Sequence, residues 1–570
     1  EEDRDEAELL GQELGGLCLA LEQAGAYMGQ QLMIPADYRG LFADNKLKTL
    51  GWTDEFLIEY RSMSEGGEGE EEESDTLHTV ATTWLTTFDQ LSCDACRLLQ
   101  VLSFFSPEAL PRGLFASEET PALLEMDRDQ LSQAFAHLRR FSMLQTADLG
   151  GNVEMEGSMH RLVGIVTRAR LSDEETVDRR VKTMKVADAF IRRGYGRPRD
   201  DLRLRRLTLP HLEFVLTDSC RDWVGQNPWL GSQMYQFICQ TYLDSGMSKL
   251  AIPAGHKAFR LARDLYEAGN PYWEARLRDV SHALGQAYFD RAELDEAEFY
   301  FRESAKLCCR FARKDRDNML AKLDLSVAYI SLGKIWETRG ILDRAGKFYD
   351  RALRIDKDVA HREPENVKAK ICLCTSLNSV GRIYAAGQNW KRARECHEEA
   401  LELAVAPRDR SIALINLARA LTGEGMRPEA HTRFKEAAEL QRALANQDPD
   451  SVQIKRDVAI ALNDVGKDWE DQQKWDKAFV YFRESFDLTN ELVDKDSENL
   501  EFIRDMNIAL NSLGRVCEGK EEWEEARGYY LRNLEICRLL CARNERNEKA
   551  KGELATSMSC LARVETHLKE

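Results

Sequence analysis

A chain of 570 residues with 43% hydrophobic and 31% charged side chains has enough apolar material for a substantial core and several modules, which excludes disorder throughout. The net charge of −19 disfavours nucleic acid as the main partner and leaves room only for a local basic face. No run of about 18 apolar residues stands in the chain, and no basic start is followed by an apolar core and a cleavage site. The 14 Cys are scattered rather than set out as a small disulfide framework, so a cytoplasmic chain with buried thiols is expected. The first residue is Glu1 rather than Met, which suggests a fragment of something longer.

Residues 8–30 place apolar side chains on one helical face after the Gly15-Gly16 break, and Pro35 and Tyr38 lead into a second short helix. Residues 65–74 (EGGEGEEEES) carry six Glu and no apolar side chain, which reads as a solvated linker. A helix with Val80, Trp84, Leu85 and Phe88 on one side follows, then one with Ala95, Leu98, Leu99, Val101 and Leu102. A third starts at Asp127 and carries Leu131, Phe135, Leu138 and Phe141. Two short extended runs around Gly150-Gly151 then suit a hairpin. Three helices and a β-wing make a winged helix. Its third helix would be the DNA reader, with Gln130, Gln133, His137, Arg139 and Arg140, but Asp127 and Asp129 lie beside them, and an intramolecular packing domain is the alternative.

Arg192–Arg206 is the one dense basic run, interrupted by Gly, Pro and the Asp200-Asp201 pair, and reads as a salt-bridged bridging surface. An irregular first hairpin is expected from near Trp229. From about Tyr272 the chain repeats. Gly285, Gly333, Gly381, Ala418, Gly466, Gly514 and Ala562 recur in steps of 48, 48, 37, 48, 48 and 48 residues. Twelve residues after each of the first six stands an Ala, from Ala297 to Ala526, and four further on a ring: Phe301, Tyr349, His397, Phe434, Phe482 and Tyr530. Small and large residues at fixed offsets are what stacked helical hairpins need, since the small residue lets two helices approach and the ring fills the gap. The step of 37 is expected to remove about one loop.

The recurring Leu-Gly-x2-aromatic, Ala-x3-aromatic pattern resembles the tetratricopeptide repeat, specifically its bacterial arrays. In such a solenoid the residue after the anchor faces the groove, and those residues are Gln286, Lys334, Arg382, Arg419, Lys467 and Arg515. One turn earlier stand His282, Ile330, Asn378, Ile415, Asn463 and Asn511. Asn can pair with a peptide backbone, and Lys or Arg with a carboxylate. Lys334, Asn378, Arg382, Arg419, Asn463, Lys467, Asn511 and Arg515 are therefore the candidate contacts for an extended, acidic polypeptide. Neutralisation of Glu337, Glu470 and Glu518, three residues further on, is the other reading of the cations.

The N-terminal third resembles the end of the NB-ARC module of STAND ATPases. Gly15, Gly16, Leu17, Leu19 and Ala20 stand as in its GLPL segment, with Cys18 where the family has a Pro close to the adenine. Met159 and His160 match its MHD motif, with Arg161 in place of Asp. The resemblance implies that His160 senses the β-phosphate of bound ADP, and that the family's role is in defence or cell-death signalling. No Gly-x4-Gly-Lys-Ser/Thr stands in the chain, so ADP or ATP is expected only with a nucleotide domain upstream, and no ATP hydrolysis from this chain alone. No Ser-His-Asp order, carboxylate pair or metal spacing emerges, and Cys93-x2-Cys96 lacks a second ligand pair, so no metal is expected.

The expected fold is mainly α, a winged helix followed by an α-solenoid. The boundaries are a helical remnant over 1–64, a linker over 65–75, the winged helix over 76–175, a bridging region over 176–270 and repeats over 271–570. The expected function is the sensor and switch half of a STAND-type regulator, with capture of a protein or acidic peptide relieving autoinhibition and permitting homo-oligomerisation. A passive repeat adaptor and a winged-helix DNA-binding regulator are the alternatives.

Overall fold

The computed structural model describes residues 2–14, 18–49, 87–88, 90–145, 155–194, 202–216, 227–269, 273–449, 451–543 and 548–569. These form 24 α-helices and one two-stranded antiparallel sheet, and the chain divides into two units, residues 1–234 and 235–570. The acidic run 65–74, Trp84 and the Gly15-Gly16 and Gly150-Gly151 pairs lie outside the described residues.

The first unit begins with α1 (Glu2–Glu13), α2 (Cys18–Gln31) and α3 (Pro35–Thr49), whose Leu10, Ala24, Tyr27, Tyr38 and Phe42 are buried, as is Leu14 just after α1. Helix α4 (Cys93–Leu102) opens on Ser92, whose side chain accepts the Ala95 N–H. Strand β1 (Leu110–Pro111) and the short α5 (Thr120–Leu123) lead to α6 (Arg128–Arg140). Asp127 and Gln130 make a reciprocal capping box there, and Leu131, Ala134, Phe135 and Leu138 form the buried stripe. Strand β2 (Met155–Gly157) pairs antiparallel with β1, and Gln145 bridges Ser158. The chain returning from the Gly150-Gly151 region thus pairs both with the segment before it and with β1, where a simple hairpin was expected. Helices α7 (Arg161–Ala169), α8 (Asp173–Gly194) and α9 (Leu202–Val215) complete this unit. Arg192 of the basic run is paired with Glu119 and Asp188.

Helix α10 (Pro228–Asp244) carries the chain from the first unit into the second and forms a hairpin with α11 (Ser248–Glu267). Six further hairpins follow: α12 (Trp273–Asp290) with α13 (Leu294–Lys314), α14 (Met319–Thr338) with α15 (Leu342–Arg362), α16 (Val367–Ala386) with α17 (Trp390–Leu403), α18 (Pro407–Glu424) with α19 (Arg427–Gln447), α20 (Val452–Asp471) with α21 (Trp475–Lys495), and α22 (Leu500–Gly519) with α23 (Trp523–Arg543). Helix α24 (Glu548–His567) is last.

Each hairpin is built on the anchor residue. A Cβ on Gly285, Gly333, Gly466 or Gly514 would lie 2.3–2.6 Å from the ring of Phe301, Tyr349, Phe482 or Tyr530, all of them buried. Glycine is therefore required by close approach rather than by backbone angle. Seven residues after each of the first six anchors the chain turns through a left-handed residue: Ala292, Gly340, Gln388, Gly425, Gln473 and Glu521, with φ of 51–85°. Four of these six are not Gly, and each costs about 1 kcal/mol, which the packing around it offsets. Asn318, Asn366, Ser451 and Asn499, at one recurring position, cap the next first helix through their side chains. The shortened step is taken out of a helix rather than a loop: α17 has 14 residues where the other second helices from α13 onward have 21, and Pro407 starts α18 without a side-chain cap.

Candidate interaction surface

The buried side of each first helix meets its own second helix through the anchor and ring, which leaves the next residue on another face. In α20 the run Ala461–Asp468 is buried except for Lys467, and in α18 Arg419 is the exposed residue of Ala413–Ala420. These cations form a row that crosses the hairpins. Arg382 donates from Nε and Nη2 to Glu337 of the preceding hairpin at 3.2 and 3.0 Å. Arg515 does the same to Glu470 at 2.7 and 2.8 Å, and Arg563 reaches Glu518 at 2.8 Å. Arg419 pairs forward with Asp464 at 2.6 Å, and Lys467 stands 4.0 Å from the same carboxylate. The carboxylates predicted as partners on the same helix are thus bound by the cation one repeat later. Planar guanidinium groups make these contacts two-pronged at Arg382 and Arg515.

Lys334 differs from the rest. It is exposed, and no carboxylate lies within ion-pair distance of it among the described residues. Its ammonium is nevertheless held below the usual lysine range, because the surrounding protein removes water from it, with Glu501 and Asp290 acting in the opposite sense. A side chain that is both wet and crowded lies in a recess. Glu501 belongs to α22, 167 positions along the chain, so the first helices of distant hairpins face one another here. Lys467 is lowered for the same first reason, with Arg419 and Arg515 adding to it. Arg456 pairs with Glu501 and Asp505 on the far side, and Asp290, beside Gln286, is pushed up by burial and by Glu501.

The three Asn are placed less alike than the sequence suggests. Asn511 is part-exposed and accepts from Arg515 Nη1 at 2.6 Å. Asn378 is turned into the seam between helices, where its Oδ1 is 2.9 Å from His397 Nδ1 and 3.4 Å from Asn416 Nδ2. Burial holds His397 near a pKa of about 3, helped by Arg382 and Arg419, so the neutral ring donates to Asn378. Asn463 is 7% exposed and its Oδ1 has no partner. Arg382, Arg419, Lys467, Arg515 and Asn511 are therefore brought into one row, and Lys334 extends it, whereas Asn378 supports it from below.

His160 is exposed at the start of α7, where its carbonyl accepts from Val163, and its imidazole is lowered first by desolvation and then by Arg161. Cys18 is the first residue of α2, and its side chain lies outside the described residues.

Two features had little sequence signal. Trp390 and Trp475 lie over Gly423 and Gly519 of the following first helix, where a Cβ would stand 2.2 and 2.8 Å from the indole. The recurrence of Trp475 and Trp523 one period apart could have suggested it. Asp356, fully buried in α15, accepts from Ser326 at 2.6 Å and from Ser376, which lie on the two flanking first helices, and burial pushes it up to about 6. Among the described residues no group of three or more His, Cys, Asp or Glu is placed to hold a metal, and no helix is long and apolar enough to cross a membrane.

No curated protein matches the chain. Family models described as tetratricopeptide repeat match residues 372–443 and 509–543, and one described as domain of unknown function (DUF7779) matches residues 86–176. Among solved structures the chain is similar to the Signal Transduction ATPase with Numerous Domains (STAND) protein with a tetratricopeptide repeat sensor, PH0952, from Pyrococcus horikoshii. That match has 15% identity, a TM-score of 0.42, and covers 94% of this chain and 75% of that one. It is also similar to BtubC from P. vanneervenii, at 16% identity and a TM-score of 0.33 over 43% of this chain and 91% of that one. Apo RapI gives 11% identity and a TM-score of 0.35 over 67% and 94%. The second unit carries tetratricopeptide repeats, the recurring hairpins that hold the charged row.

Proposed function

We propose that the repeats capture an extended, acidic segment of a protein, and that the chain is the sensor and switch half of a STAND-type regulator in which capture relieves autoinhibition. The observation that carries the binding reading is the row itself. Among the described residues Arg382, Arg419, Arg515 and Arg563 are paired with Glu337, Asp464, Glu470 and Glu518, whereas Lys334 has no carboxylate within ion-pair distance, with Glu501 and Asp290 acting on it from further off, and Lys467 stands 4.0 Å from Asp464, which Arg419 already holds. A carboxylate entering beside either would regain the charge compensation that partial desolvation has made scarce. The ion pairs at Arg382 and Arg515 then act as fixed walls rather than as contacts for the ligand. Asn463 Oδ1, buried without a partner, is an acceptor suited to a backbone N–H.

In this reading residues 76–175 are a winged helix, whose described elements run from α4 and α6 through the β1–β2 pair to α7, and serve as an intramolecular packing module. His160 is the residue there assigned toward nucleotide; no Gly-x4-Gly-Lys-Ser/Thr accompanies it in the sequence, so the phosphates would need a cradle that this chain does not supply.

The test is the binding of a fluorescein-labelled decapeptide of Asp and Glu, followed by anisotropy. Lys334→Glu with Lys467→Glu should weaken it at least tenfold and flatten its dependence on salt, whereas Lys306→Glu, on the outer helix α13, should not. Equal binding by both variants would overturn the groove reading.

A further inference from the structure

The charged row has an apolar row beside it. In α18 the residues from Ser411 to Ala420 are buried except Ile412 and Arg419, and in α20 those from Asp457 to Asp468 are buried except Ile460 and Lys467. In α22 the exceptions between Asn507 and Cys517 are Ile508, Asn511 and Arg515, with Ile508 43% exposed. Each isoleucine stands seven residues before the cation of its helix, which is two turns away on the same face. The same offset holds Val327 in α14 and Thr375 in α16, so the isoleucines are confined to α18, α20 and α22.

Ion pairs tie these three helices together on both sides of the isoleucines. On the N-terminal side Arg408 of α18 donates to Asp457 of α20, and Arg456 of α20 donates to Asp505 of α22. On the C-terminal side Arg419 holds Asp464 and Arg515 holds Glu470. Between the two rows sits Asn463, three residues after Ile460 and four before Lys467. It is 7% exposed, and its Oδ1 has no hydrogen-bond partner. The Asn at this offset in α16 meets His397, and the one in α22 meets Arg515, but the ring position of the α20 hairpin is Phe482, which has no donor to offer. An acceptor left open there suits a backbone N–H lying across α20.

We propose that the captured segment alternates acidic and aliphatic residues and crosses α18, α20 and α22, with its acidic side chains toward the cation row, its aliphatic ones on Ile412, Ile460 and Ile508, and a backbone N–H on Asn463 Oδ1. Successive side chains of an extended chain point to opposite edges. The two rows lie two helical turns apart, about 10 Å, so one strand can serve both. The direction of the acidic edge follows from the charges. Arg408 and Arg456 are matched by Asp457, Asp505 and Glu501, and Arg504 has Glu553, Glu501 and Asp505 about it, whereas Lys467 shares Asp464 with Arg419. A run of acids alone would set carboxylates against the isoleucines and strip their water without a partner. An aliphatic side chain there removes apolar surface from both molecules instead. This assignment rests on the reading of the groove as the site of an acidic segment.

Anisotropy with two fluorescein-labelled decapeptides tests it, one of Asp and Glu alone and one alternating Glu with Leu. The wild-type chain should bind the alternating peptide about tenfold more tightly, despite its lower charge. Ile460→Gln with Ile508→Gln should abolish that preference and leave the affinity for the acidic peptide unchanged, which also reports that the groove still folds. Val480→Gln, on the outer helix α21 at a residue 61% exposed, should change neither affinity. Equal wild-type affinity for the two peptides, or a preference that survives in the double variant, would overturn the alternating segment and leave the groove reading standing. Binding of neither peptide would overturn both.

Discussion

Gly466 and Lys467 are neighbours in the chain and belong to two different surfaces. The first receives the ring of Phe482 with no room for a methyl group, and the second projects into water beside Asp464. The same division recurs at Gly333 and Lys334, Gly381 and Arg382, and Gly514 and Arg515. On the packed face the identity of a residue is fixed by volume, and a change is felt as stability. On the charged face it is fixed by partners a repeat away, and a change is felt as specificity. The pair teaches that a periodic sequence specifies its core through local size and its surface through neighbours that a single repeat does not contain.

The comparison can be broken most directly at the core. Gly333→Ala would place a Cβ 2.3 Å from the Tyr349 ring, which is fully buried and held by its hydroxyl on Glu337 at 2.6 Å, so the ring cannot retreat. A loss of about 2–3 kcal/mol is expected in denaturant unfolding, more than enough to cancel the gain in helix propensity. An unchanged midpoint would mean that the hairpin widens freely.

Asp356 sharpens it, because it is a charge placed on the core side. Its carboxyl is raised to about 6 by burial against an ordinary value of 3.8, so between these values the folded chain holds more protons than the unfolded one. Wild-type stability should fall as the pH rises from about 4 to 6 and level off above. Asp356→Asn should remove that slope, with a difference on the order of 2–3 kcal/mol across the window. Thermal unfolding from pH 4 to pH 7.5 measures it.

On the charged face the effect should be small. Glu470→Gln removes the two-pronged partner of Arg515, whose side chain is 34% exposed. A loss of about 0.5–1 kcal/mol, vanishing at high salt, is expected from unfolding at two ionic strengths. A loss as large as that of Gly333→Ala would erase the distinction between the faces.

The period, the anchor and the ring were legible because each is a residue type required at one offset. The left-handed turn was not, since Ala292, Gln388, Gln473 and Glu521 occupy it without a Gly to mark it. The cations of the row were legible as a set, but their partners were sought within the same helix and stand in the adjacent hairpin. Asn378 shares its offset with Asn511, yet His397 in the ring position draws it inward. The buried contact in which the Ser248 N–H and hydroxyl, at the start of α11, donate to Asp496 Oδ2, at the end of α21, has no local signature, because neither residue type is unusual where it stands.

That contact also changes how the array should melt. In an open solenoid each repeat touches only its neighbours, so the ends fray first and stability is a sum along the chain. Here the first hairpin is tied to the turn after α21, and a loop of 248 positions is closed by it. Closing so long a loop is slow and costs entropy that only a finished array can offset, so the early hairpins should gain full protection last in folding and lose it together with α21 and α22 in unfolding. The array then behaves as a closed ring rather than as a rod with two loose ends.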